Sequence, residues 1–111
     1  MAKNYYRFTE INVWEGETWN FYIPCEGNEE AFAALHEALS GMDHYSGIYE
    51  TSLKPVPASE VSALCKHSKT GYMREHNKLK GRLDADRVKH LTVDNVDDLY
   101  KGGIEGFIVK E

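Results

Sequence analysis

The stretch "NYYRFTEINVWEGETWNFYIPC", residues 4–25, carries the strongest local signal in the chain. Aromatic and β-branched residues fill two runs, 4–14 and 17–25, on either side of Glu15-Gly16. Such runs around a short polar, glycine-containing joint spell a β-hairpin. In the second run Trp19, Phe21 and Ile23 alternate with Thr18, Asn20 and Tyr22, so one face is the core face and Tyr22 is expected on the outer one. The first run slips parity. Tyr6 and Phe8 fall on one face, Ile11 and Val13 on the other. Either a bulge near Thr9-Glu10 or a strand covered on both sides reconciles them.

Outward from the hairpin the period changes. Asn28 suits a helix N-cap, Glu29 and Glu30 suit the positive end of the helix dipole, and Gly41 suits the position after the last turn. Phe32, Leu35 and Leu39 would form the buried stripe. Residues 42–47, "MDHYSG", read as a loop, and 48–54 as a third strand ending at Pro55, where two prolines mark an exposed connection or a sheet edge. Ser59 is placed to cap a second helix carrying Val61, Leu64 and Cys65 and ending near Thr70-Gly71. Residues 72–80 fit either period, and the bracketing glycines 71 and 81 favour a strand. A short helical turn over 84–91, a segment 93–101 capped by Thr92 or Asp94 with Val93, Val96 and Tyr100 on one side, and a closing strand at 106–110 complete the reading. The expectation is one α+β domain over 1–111. Its mainly antiparallel sheet of about four or five strands packs with two or three helices, mostly on one face.

At 111 residues the chain suits one domain, and 41% apolar with 28% charged residues is ordinary globular composition. No apolar run approaches the roughly 18 residues of a membrane span, and residues 5–13 are too interrupted for a signal peptide. A cytoplasmic protein with no membrane association is expected. Cys25 and Cys65 lie in no recognised spacing and read as free thiols in a reducing compartment. No metal or cofactor is expected, because no C-x-x-C, H-x-x-x-H or H-E-x-x-H spacing exists.

The formal charge is −5, distributed as −7 over residues 1–65, +5 over 66–90 and −3 over 91–111. Two surfaces follow. The first is acidic and aromatic: Trp14, Glu15, Glu17, Tyr22, Glu29 and Glu30 would engage a basic partner protein. The second is basic. Tyr72, Arg74, His76, Lys78, Lys80 and Arg82 alternate along "YMREHNKLKGR", and in a strand the cations would share one face able to follow a phosphate backbone. Against nucleic acid stand the single aromatic in that segment and the acidic balance of the chain, whose sequence pI is about 5.5. Lysines guarding a solvated edge strand explain the same pattern. For chemistry, the one grouping of note is Asp43, His44 and Tyr45 in the 42–47 loop, where a histidine sits between a carboxylate and a phenol. Cys65 with His67 or His76 is the other, although Cys65 falls among Val61 and Leu64 as a core cysteine does.

The sequence therefore points first to a non-enzymatic protein-binding module, a small acidic regulator or inhibitor of the phage or mobile-element type. A nucleic-acid or phosphate binder using 66–90 comes second. A small enzyme centred on the 42–47 loop comes third.

Overall fold

The computed structural model describes residues 4–12, 17–42, 49–66, 74–92, 94–96, 99 and 103–109. The hairpin strands β1 (Asn4–Asn12) and β2 (Glu17–Pro24) pair antiparallel in unbroken register, Tyr6 opposite Ile23 and Phe8 opposite Phe21. β3 (Tyr49–Pro57) pairs antiparallel with the other side of β1, and β4 (Arg74–Lys78) runs parallel to β2. The sheet order is β3-β1-β2-β4. A second, two-stranded sheet joins β5 (Arg82–Leu83) to β6 (Ile108–Val109). The described residues thus form a mixed α+β structure with three helices, and the N-terminal hairpin stands at the centre of the sheet.

Among the described residues, three helices flank this frame: α1 (Glu29–Ser40), α2 (Ala58–Lys66) and α3 (Ala85–Lys89), with a 3-10 turn at Ile104–Phe107. α1 buries Phe32, Leu35 and Leu39 on Phe8, Phe21 and Ile23, and Phe32 stacks on Tyr6 at 4.6 Å between ring centroids. Val88, Leu91, Leu99, Ile104 and Phe107 extend the same core. α2 lies on the opposite face. Its Val61 is fully buried outside that main core, and Cys65 and Glu60 lie close enough to act electrostatically on Tyr22.

The helix on each face resolves the slipped parity of β1. The strand has no bulge against β2; it is covered on both sides, and the irregularity falls instead between Tyr5 and Arg7 against β3. There Leu53, Lys54 and Pro55 loop out of the ladder, and β3 resumes at Val56-Pro57. The third strand therefore runs through both prolines, past the expected stop at Pro55. It can do so because it is an edge strand, where a missing N–H need not face a partner.

Helix ends also differ from expectation. Asn28 occupies the N-cap of α1 but its side chain makes no cap bond. It is buried, with 1% of its surface exposed, and its amide reaches across the chain. Nδ2 donates to the Pro24 carbonyl at 2.8 Å and the Gly81 carbonyl at 3.2 Å, while Oδ1 accepts the Leu83 N–H at 2.6 Å. Gly41 is the C-cap in an ordinary right-handed conformation. α2 begins at Ala58, so Ser59 lies inside it, and its expected end at Thr70-Gly71 lies outside the described residues. Asp84 caps α3 by accepting the N–H groups of Asp86 and Arg87. The closing strand is shorter than expected, because 104–107 form a 3-10 turn before β6.

Candidate functional site

The expected acidic and aromatic surface is divided. Tyr22 is not exposed: 2% of its surface reaches solvent, and its ring stacks over His76 at 6.3 Å. Its outward parity is correct, but α2 covers that face. Burial raises its phenol above the ordinary range, with Arg7 opposing and Cys65 and Glu60 adding to the rise. Trp14 and Glu15 lie outside the described residues. Glu17 stands at the start of β2, accepting the indole N–H of Trp19 at 2.9 Å. Glu29 and Glu30 follow the other end of that strand, seven residue steps or about 23 Å away. Glu17 and the helix-start acids are therefore not one patch.

The basic stripe is divided too. β4 is a strand, and its His76 and Lys78 share the face on which Tyr22 lies. His76 is half-buried against Tyr22, and the Lys78 ammonium sits 5.8 Å from the Tyr5 ring centroid. Lys80 is exposed beyond the strand. Arg82 belongs to the second sheet, with its guanidinium beside Gly27. Among the described residues no continuous cationic track runs from 74 to 82. Tyr72 lies outside them.

What remains in one piece is α1. Its exposed positions are Glu29, Glu30, Ala33, Glu37 and Ser40. Every charged residue of the helix is a glutamate, and no cation stands in its last turn. Glu29 has a local structural role, accepting the Gly27 N–H at 3.0 Å. Glu37 stands in the last turn, its carbonyl accepting the Gly41 N–H at 3.1 Å. A carboxylate is disfavoured there by the helix dipole. On the flank of α1, His36 Nδ1 shares a hydrogen bond with the Thr51 hydroxyl. A cleft of about 240 Å³ opens there, bordered by Leu39, Ser40 and Tyr49. Asp43, His44 and Tyr45 lie outside the described residues.

Glu10, an acid of the hairpin expected at the surface with Glu15 and Glu17, faces inward instead. Glu10 points to the core side between Trp19 and Tyr49 of the neighbouring strands, and its Oε1 accepts the Ile104 N–H at 3.2 Å. Burial pushes its carboxyl up to about 7, with the Ile104 hydrogen bond opposing and the Glu105 charge adding to the rise. The signal was present in the sequence, since Glu10 shares the parity of Tyr6 and Phe8. A carboxyl raised in the fold costs stability as pH climbs from its unfolded value of about 4.5 through 7, and costs nothing below that window. Glu10→Gln keeps the acceptor for Ile104. It is expected to stabilise the protein by about 1 kcal/mol at pH 8, after allowance for the partly open site, and to leave it unchanged near pH 4. Urea unfolding at the two pH values checks this.

Both cysteines are free and half-buried. Burial raises each thiol, Tyr6 opposing at Cys25 through a hydrogen bond and Lys78 opposing at Cys65 through its charge. A raised thiol is a poor nucleophile at neutral pH. Among the described residues no group of three or more His, Cys, Asp or Glu side chains could hold a metal ion, and no helix is long and apolar enough to cross a membrane. Comparison with protein-family models, curated proteins and solved structures gave no match to this chain.

Proposed function

We propose that the protein is a non-enzymatic binding module that docks on a basic surface of a partner protein through the exposed face of α1, with Glu30 and Glu37 as its principal contacts and Glu29 beside them. The observation that carries this reading is the single sign of the helix. A helix kept merely soluble mixes charges and places lysine or arginine in its last turn, where both the dipole and spaced ion pairs favour them. α1 has Glu37 there instead. Sequences depart from such local rules chiefly where function requires it. A ridge of carboxylates steers a basic partner and fixes its orientation more than it supplies raw affinity. A small acidic regulator or inhibitor works in this way, by covering a basic surface that another ligand needs.

The test is zero-length carbodiimide coupling in a cell extract of the source organism, which joins a carboxylate only to an amine in contact with it. Peptide mapping should place the cross-links on Glu30 and Glu37, joined to lysines of one partner. Cross-links confined to acids outside α1 would reject the assignment.

A further inference from the structure

A second concave site lies away from the α1 ridge, between α3 and the 104–107 turn. It is a cleft of about 290 Å³ lined by Asp86, Arg87, His90, Leu91, Asn95 and Phe107. Leu91 and Phe107 are 8% and 3% exposed, so the floor is apolar and firmly packed. The polar rim is held in place by bonds made elsewhere. Arg87 Nη1 donates to the Gly106 carbonyl, and its guanidinium carbon lies 4.7 Å from the Phe107 ring centroid. Asn95 is a brace: its Nδ2 donates to the His90 carbonyl at 2.7 Å and its Oδ1 accepts the Thr92 N–H at 2.8 Å. His90 Nδ1 donates to the Asp86 carbonyl at 2.7 Å, which makes Nε2 the acceptor of the neutral ring.

Size and charge together define the occupant. The volume is at the small end of ligand pockets and suits a small molecule. Among the described residues that line it, the formal charges of Asp86 and Arg87 cancel, so these two favour neither a net anion nor a net cation. A molecule carrying one charge of each sign uses both. We propose that this cleft binds a free apolar α-amino acid as its zwitterion. The ligand carboxylate takes guanidinium donors of Arg87 beyond the one committed to Gly106, of the five the group offers. The ammonium donates to the Asp86 carboxylate and to His90 Nε2. The apolar side chain lies on Leu91 and Phe107.

The test is an amide-resolved NMR titration of the whole protein with L-leucine, 4-methylpentanoate, which lacks the amine, and 3-methylbutylamine, which lacks the carboxylate. Leucine is expected to produce saturable shifts at Leu91 and Phe107, and each analogue to bind about tenfold more weakly because one charged group of the rim goes unanswered. Asp86→Asn leaves the backbone bonds of the α3 cap intact and should weaken leucine by a similar factor. No saturable shift with leucine up to about 20 mM, or equal affinity for leucine and either analogue, would overturn the proposal.

Discussion

Asn28→Ala will lower the unfolding free energy by about 3 kcal/mol, equivalent to roughly 15 °C in Tm for a domain of this size. The reason is the number of backbone groups one amide satisfies. The Leu83 N–H, the Pro24 carbonyl and the Gly81 carbonyl all lose a partner together, and the Asn28 site is closed to water. Each buried group left unpaired costs about 1–3 kcal/mol, with partial relaxation expected at the shorter side chain. Asn28→Asp should fare no better. It keeps an acceptor for Leu83 but turns a carboxylate on two carbonyl oxygens in a buried place. An ordinary exposed N-cap would cost only about 1 kcal/mol, so denaturant unfolding distinguishes the buried brace from a simple cap.

The second large effect is at Gly81. Its φ is +111°, a conformation L side chains rarely adopt, and a Cβ there would stand 2.5 Å from the Val109 carbonyl oxygen. That oxygen is backbone of β6 and cannot swing aside, so Gly81→Ala must part β5 from β6 or shift the turn before them. A loss of about 3 kcal/mol is expected. Gly106→Ala is the control, since its Cβ would meet nothing within 4 Å, and it should change stability by less than about 0.5 kcal/mol. Because the Gly81 carbonyl is also a partner of Asn28, the two sites are one node. The double variant should lose clearly less than the sum of the singles, and unfolding of the parent, Asn28→Ala, Gly81→Ala and the double checks the coupling.

These two residues also mark where the sequence was legible and where it was not. The hairpin, the Phe32, Leu35 and Leu39 stripe and the strand between the glycines were readable, because each is local and periodic. The role of Asn28 was not. An asparagine before two glutamates reads as a cap, and nothing local tells that the chain returns 53 to 55 residues later to take its amide. Tyr22 failed for the same reason. Alternation placed it correctly on the second face, but whether that face met water depended on α2, an element encoded 36 residues further on. For the site, Glu29 and Glu30 were legible as helix-start acids. The distance to Glu17 was not, because sequence proximity at a strand's two ends is not spatial proximity. Glu37 was passed over altogether, although a lone carboxylate in the last turn of a helix without lysines could have been noticed. The α3 cleft depends on Phe107 meeting Arg87 across 20 residues, which no spacing announces.

Either the acids of α1 bind a partner or they merely solvate the helix. The most direct measurement takes Glu37→Lys and reads two quantities on the same preparation: urea stability, and capture of the cross-linked partner at about 50 and 200 mM salt. A lysine in the last turn should favour the helix by about 0.5 kcal/mol. The binding account predicts a more stable protein that captures its partner severalfold less well, with the difference shrinking at the higher salt. A more stable protein with capture unchanged at both salts would contradict it, and the carboxylates of α1 would then be solvation alone.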